Sequence, residues 1–521
     1  MKYATRSVFT LTFLFGLVFL VADLYLRHRG APLWAPALIG IVFILLNYLF
    51  APWWIEYLLE IQWGSQRNEM PARNVDFLKH ICAERGMKTP RIAVIHSAMP
   101  NAFTYGHVQS DARIIVTDAL LEILTPDEVD AVVAHEVGHI VHWDFIVMTL
   151  ASLVPLLLWE LYAFLGDRGG HVRLAAYLSY WISRFGVLSL SRTREYYADQ
   201  FAAQTTRAPH LLSTALLKLG YGMAQYASIR KAQVKTVKNA KSAQNVRQTR
   251  LDGVFGLMGI SNAQPSLALS GATPDEAARV IRWDLVNPFA RIYELAATHP
   301  LIGRRIEALN NEAIAQGQAP AIPIPSHLPM DWSNFFASSI LWAAPSICGL
   351  MLLAGRAFFH HSENRGIIGM SLAVVLFISW MMRIAYRYPS NFQPSEVRTL
   401  TENTGVSDMA TIAVRLEGEI VGPTDPARLS PDLMFQDKTG MIFVLDRQSL
   451  PGARLLLADQ AALLAGAKVV LEGWYRRNLR PYVELRKLET DDGRVHSSYS
   501  CYIQLVWALL ASVALYFITA W

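Results

Sequence analysis

Cysteine is scarce in this chain. Its 521 residues hold three, Cys82, Cys348 and Cys501, widely separated and in segments of three different kinds. That scarcity excludes a disulfide framework and a cysteine-built metal site, so any metal has to be held by histidines and carboxylates. Charge is thin as well. Charged residues make up 17% of the chain against 53% hydrophobic ones, where an ordinary soluble domain carries about 25% charge. A membrane protein is the natural reading of that balance. The net charge of +5 suits basic residues flanking membrane spans and is too small to suggest a nucleic-acid surface, so no nucleic-acid partner is expected. Ionisable residues in mid-span are few and scattered (Asp23, Glu160 and Arg184), which argues against a transporter's relay.

What the chain does have is long apolar runs. A length of 521 residues predicts two or three structural units. Seven stretches are apolar and long enough to cross a bilayer, at about 8–26, 33–50, 145–165, 172–190, 335–353, 367–385 and 502–521, since about 30 Å of hydrocarbon takes roughly 20 helical residues. Lys2 and Arg6 before the first run resemble a signal peptide. The length of that run, and a second span directly after the short turn at Arg27–Gly30, predict an uncleaved hairpin instead. The first six spans form three pairs joined by short polar turns, which leaves every sizeable polar segment on one face. Lys2, Arg6, Arg67, Arg73, Arg192, Arg194, Arg383 and Arg387 lie near span ends on that face, against Arg27, Arg29, Arg168, Arg356 and Arg365 in the opposing turns. The bias favours the cytosol for the polar segments. The span at 172–190 is the weakest, because Arg184 interrupts it.

Three polar segments separate the spans. In the first, residues 91–96 and 112–117 read as strands and 125–143 as a helix, with Pro126 in its first turn and Asp127 and Glu128 at the positive end of its dipole. The second begins helically and then reaches 228–250, a run with seven basic residues and no acid, which reads as a solvated or headgroup-facing linker. The third, about 396–498, alternates polar and apolar residues at 411–421, 433–436, 440–446, 468–475 and 481–488, with a helical stretch at 458–464. Five short strands of this kind predict a small barrel of the oligonucleotide/oligosaccharide-binding (OB) shape. Such barrels more often contact proteins than nucleic acids, so a protein partner is the expectation for this domain. The run Trp474, Tyr475, Arg476, Arg477 and Arg480 is the one feature that suits a nucleic acid instead.

The chemistry concentrates at His135-Glu136-Val137-Gly138-His139. Two histidines four apart share one helix face, so both imidazoles reach a single ion. Glu136, displaced around the helix, is suited to take a proton from a zinc-activated water. A third ligand is required. His142 shares the face but lies seven residues, about 10 Å, from His135, too far along the axis for the same ion. Glu195 and Asp199 are better candidates: they are four apart in a second helical segment, so one carboxylate can bind the metal while the other orients a ligand histidine.

These residues sit within four motifs in order: Pro100-Asn101-Ala102-Phe103-Thr104-Tyr105-Gly106; His135 to His139 with Asp144; Arg194-Glu195-Tyr196-Tyr197-Ala198-Asp199; and Ala297-Thr298-His299-Pro300 followed by Arg305-Ile306. Together they resemble the HtpX heat-shock proteases and the related CAAX prenyl endopeptidases, over about residues 1–310. The resemblance implies a gluzincin-like core with one Zn2+ on His135, His139 and Glu195, Asp199 behind them, and Glu136 as general base. It implies that Asn101, Ala102 and Phe103 form an edge strand on which a substrate peptide adds, and that His299 and Arg305 lie near the reacting carbonyl. Read from the residues alone, His299 before Pro300 is equally a helix N-terminal residue. The basic stretch 220–285 and everything after about 320 depart from the resemblance.

The expectation is thus a multi-pass α-helical membrane protein with a mixed, mainly α, zincin-like catalytic domain and a C-terminal OB-like β barrel. Its parts are a transmembrane hairpin (1–54), a first catalytic segment (55–144), a second hairpin (145–190), a second catalytic segment (191–330), a third hairpin (335–388), the β domain (396–498) and a last transmembrane helix (502–521). The expected activity is zinc-dependent endopeptidase cleavage of membrane-associated or misfolded polypeptides, in a bacterial inner membrane with the site facing the cytosol. The alternative is a non-catalytic scaffold with a structural metal, which would need a fourth protein ligand and has no use for Glu136.

Overall fold

Among the described residues, five helices are long and apolar enough to cross a membrane: Leu38–Leu58, Asp144–Leu165, Trp332–Met351, Gly366–Arg387 and Ser500–Ile518. The computed structural model describes residues 34–59, 61, 63, 69–97, 100–165, 170–221, 273–324, 329–330, 332–359, 365–423, 432–447 and 464–520. The expected span at 8–26, the basic run at 228–250 and all but the last residue of the helical stretch at 458–464 lie outside the described residues. The segment 172–190 is not among the five. It forms part of an unbroken helix of 37 residues, about 55 Å long, whose arginines Arg173 and Arg184 lie over the rings of Tyr162, Tyr180 and Trp181.

The described residues divide into two compact units. The first holds α1 (Trp34–Leu58), α2 (Ala72–Glu84), strands β1 (Arg91–Ile95), β2 (Ala102–Tyr105) and β3 (Arg113–Thr117), α3 (Asp118–Ile123), α4 (Pro126–Val141), α5 (Asp144–Leu165), the long helix α6 (Gly170–Thr206) and α7 (Pro209–Tyr221). Beyond them come α8 (Pro274–Val286), which packs in the second unit, α9 (Pro288–Leu295) at the border, and α10 (Ile302–Ala315), again in the first.

The motif helix α4 is where this unit's core lies. Val129, Ala131, Val132, Val133, Ala134, Val137 and Ile140 are all buried. Its start is specified locally: the Thr125 side chain and Glu128 form a reciprocal capping box, with Pro126 in the first turn. Arg73 pairs with Asp127, and Asn74 Nδ2 donates to Asp130 at 2.6 Å, so α2 braces the same end. Its other end breaks at Trp143, in the left-handed region at φ 58°, a costly conformation for a bulky residue. That break turns the chain into α5 and sets Asp144, the first residue of α5, back toward α4. The sheet has the order β1-β3-β2, with β1 parallel and β2 antiparallel to β3, so β2 is an edge strand among the described ones.

In the second unit α12 (Arg365–Arg387) packs against both α11 (Trp332–Phe359) and α14 (Ser500–Ala520). Between them lie α13 (Val397–Glu402) and strands β4 (Ile412–Pro423), β5 (Leu433–Gln436), β6 (Met441–Leu445), β7 (Lys468–Arg477), β8 (Pro481–Thr490) and β9 (Val495–Ser497). Pairing runs β4-β5-β6-β8-β7 and back to β4, which closes a five-stranded barrel around Val414, Leu416, Phe435, Ile442, Leu471, Val483 and Leu485. Gly473 sits where β7 crosses β8 so closely that a Cβ would lie 2.5 Å from the Glu484 carbonyl oxygen. Helix α8 belongs to this unit through Trp283, whose indole donates to the Val406 carbonyl at 2.7 Å and lies under the Arg477 guanidinium.

Candidate metal centre

Helices α4 and α6 meet at Gly138. A Cβ there would lie 3.0 Å from the Ala198 Cα, so any side chain at this position would push the two backbones apart by a few tenths of an ångström. That approach brings His135 and His139 of α4 against Glu195 of α6, and one ligand atom from each lies within 4.8 Å of the others. His135 Nε2 and His139 Nε2 are 3.2 Å apart. Glu195 Oε2 is 3.6 Å from the first, and Oε1 is 3.6 Å from the second.

Behind each histidine stands a carboxylate. Asp199 Oδ1 is 2.9 Å from His135 Nδ1, and Asp144 Oδ2 is 2.5 Å from His139 Nδ1. Each carboxylate is in turn held by an arginine: Arg305 donates to both oxygens of Asp199 at 2.8 and 2.6 Å, and Arg194 Nε lies 3.0 Å from Asp144. A histidine whose Nδ1 proton is taken by a carboxylate offers its Nε2 lone pair. His139 is held in this way by Asp144, and its Nε2 faces that of His135 beside Glu195 Oε2, which is buried yet accepts no hydrogen bond.

The electrostatics point the same way. Burial opposes a charge on His135, but its contacts with Asp199 and Glu195 outweigh that and push it up to about 9. Burial likewise opposes ionisation of Glu195, and the charge on His299 together with the contact to His135 holds it well below the usual carboxylate range. Asp199 is also lowered, burial being overcome by Arg305. The donor set itself, two imidazoles and a carboxylate, suits zinc.

His299 joins the group through Nδ1, 3.1 Å from Glu195 Oε1. Its loop is fixed by Arg192, whose Nη1 donates to the carbonyls of Glu294 and Ala297 at 2.8 and 2.9 Å, and by Glu294, which accepts from the Leu301 amide at 3.0 Å. Arg305, expected beside the reacting carbonyl, has no exposed surface. Its guanidinium donates to Asp199 and lies 3.5 Å from Glu195, so it balances two buried carboxylates. His142 lies outside the cluster, its ring against Tyr197 and Phe201.

Glu136, which follows His135 in the chain, is buried, and its Oε2 accepts from Thr104 Oγ1 of β2 at 2.5 Å. The Thr117 amide donates to the Asn101 carbonyl, so by antiparallel alternation the main chains of Asn101, Phe103 and Tyr105 face β3, while those of Ala102 and Thr104 face the open edge. The Phe103 side chain is buried with Leu59 and Ile61 on the other face.

Sequence reading gave no role to Asp144, Arg194 or Thr104. Asp144 stands five residues past His139, a spacing that marks no common helix face. Nothing local shows that a strand 32 residues earlier meets Glu136. In the barrel, Trp474, Tyr475, Arg476 and Arg477 are all buried, and the two arginines are spent inside the unit, on Glu484 and Asp408 and on Thr401 and Asp284 respectively. The run that suited a nucleic acid is therefore a core element.

Apolar membrane helices and a His–His–carboxylate donor set together mark a membrane metallopeptidase. The profile of peptidase family M48 matches residues 73–313, the stretch that carries the whole cluster. A protease HtpX homologue of Methanothermobacter thermautotrophicus is 35% identical over 224 residues, 42% of this chain and 86% of the relative. One of Moorella thermoacetica is 31% identical over 234 residues, 41% of this chain and 77% of the relative. The crystal structure of S. mikatae Ste24p matches at 20% identity with a TM-score of 0.30, covering 42% of this chain and 59% of that one. The chain belongs to peptidase family M48 and is an HtpX-like integral membrane metallopeptidase.

Proposed function

We propose that this chain is a zinc-dependent endopeptidase that cleaves membrane-associated or misfolded polypeptides. The observation that carries the proposal is the convergence of His135 Nε2, His139 Nε2 and Glu195 at the helix that also carries Glu136. Those three residues would hold the metal, which when bound supplies Lewis acidity to a water and to the scissile carbonyl. Glu136 takes the proton of the attacking water and returns it to the leaving amine. Asp199 and Asp144 hold the two imidazoles in the ligating tautomer, and Arg305 keeps Asp199 and Glu195 ionised at full burial. His299, in contact with Glu195, stabilises the oxyanion. The substrate strand adds to the open edge of β2 by hydrogen bonds to the main chain of Ala102 and Thr104, which fixes the scissile bond by backbone geometry and leaves sequence preference weak.

A zincin-like catalytic unit and an OB-like barrel remain the architecture we favour; the closed five-strand order supports the second. Basic residues at the span ends support a site on the cytosolic face of a bacterial inner membrane, and the barrel is assigned to a protein partner. The test is Glu136→Gln in the purified full chain, with zinc content and cleavage of an unfolded protein measured together. Retained zinc with cleavage lowered by at least about a thousandfold is expected. Retained zinc with no cleavage by either form would favour the scaffold reading.

A further inference from the structure

Thr104 stands where substrate edge and base meet. Its main chain faces the open edge of β2, and its side chain shares the face of Ala102 toward α4, opposite Phe103 and Tyr105. Its hydroxyl oxygen is 2.5 Å from Glu136 Oε2 and 3.4 Å from the Glu136 carbonyl oxygen. At 2.5 Å the first contact lies in the short range of a hydroxyl donating to a carboxylate. A hydroxyl has one proton to give. Given to Oε2, it pins the carboxylate and leaves Oε1 for the proton of the attacking water. The β-branched side chain is itself stiff in a strand, so the angle of the Glu136 carboxylate follows from the position of β2.

We infer that Thr104 is the positioning residue of the general base. A peptide seated on the main chain of Thr104 steadies the strand that orients Glu136, so occupation of the edge and alignment of the base are one event. The contribution is to turnover, because the same main-chain bonds to substrate form whatever the side chain is. This rests on Glu136 acting as the base, and the experiment separates the two.

The full chain in detergent micelles is compared with Thr104→Val, which keeps shape and strand preference but has no proton to donate, with Thr104→Ser, which restores the hydroxyl, and with Glu136→Gln. Zinc per chain, melting temperature, and kcat and KM on denatured casein are measured for each. The expected result is a fall in kcat of about ten- to a hundredfold in Thr104→Val, with KM within about twofold and zinc content unchanged, and recovery to within about threefold in Thr104→Ser. A wild-type kcat in Thr104→Val, a loss confined to KM, or a Thr104→Ser as impaired as the valine would overturn the inference while a dead Glu136→Gln upheld the base. Activity surviving Glu136→Gln removes the base and the inference together. Should the valine form fail to fold, Thr104→Ala, which adds nothing to clash, carries the same comparison.

Discussion

Each of the two units buries a glutamate beside an arginine, and the spacing around the two carboxylates differs in a way that separates structure from chemistry. In the barrel, Glu484 is closed. Arg476 Nε lies 2.7 Å from one oxygen, and the hydroxyls of Tyr388 and Ser500 donate to the other at 3.1 and 3.0 Å. In the metal centre, Glu195 is open. Three of its four basic neighbours stand at 3.5 to 3.6 Å, and only His299 comes to 3.1 Å. Burying a charge without close partners is costly. The protein tolerates it at Glu195 because Asp199, Arg305 and the histidines over-determine the position, and the space left is of the kind a cation fills.

The largest expected contrast comes from the same substitution in both units. Glu195→Gln is expected to empty the full chain of zinc and lower cleavage by more than about a thousandfold. Glu484→Gln should leave zinc content and cleavage unchanged and cost about 3–5 kcal/mol of stability, since Arg476 then stays buried without its charge partner. Zinc analysis beside thermal melts of both variants reads this, and a Glu195→Gln that kept its zinc would break the comparison.

A smaller effect is expected one residue further out. Asp144→Asn leaves the ligands in place but weakens the hold on the His139 tautomer and releases Arg194, so zinc affinity should fall about ten- to a hundredfold. Competition with a chelator measures it, and an unchanged affinity would mean that Asp144 serves only the start of α5.

The smallest effect is in pH. In the metal-free protein His135 keeps its proton to about 9 when folded, against 6.5 for a free imidazole. Its contribution to stability is therefore complete below about pH 6.5 and is lost as pH rises toward 9. Zinc competes with that proton, so apparent affinity should rise across the same window. The melting temperature of the chelator-treated chain should fall between pH 6.5 and 9 while the gap to the zinc-loaded chain widens; a flat metal-free profile would show that no proton sits in the cluster.

Local pattern made much of the molecule legible. Alternation at 411–421, 433–436, 440–446, 468–475 and 481–488 marked the barrel strands to within two residues, because period-two burial is written in the chain itself. Thr125, Pro126 and Glu128 marked the start of α4 for the same kind of reason. Where the text of the sequence misled, a long-range partner decided. Arg476 and Arg477, in the one run that suited a nucleic acid, are core residues, since Glu484 and Asp284 are brought to them only by folding. The segment 172–190, the weakest of the expected spans, runs without a break into the part of the helix that carries Glu195.

By itself, then, the sequence determined that His135 and His139 share a helix face, because 3.6 residues per turn leaves no other arrangement, and that apolar runs of this length belong in a bilayer. Only the tertiary structure decided that Glu195 meets those histidines, through the glycine contact of Gly138 with Ala198, and that Asp144, Asp199 and Thr104 stand behind the histidines and Glu136. Residues far apart in the chain have no local periodicity to announce them; their meeting depends on how closely two helices and a strand can pack.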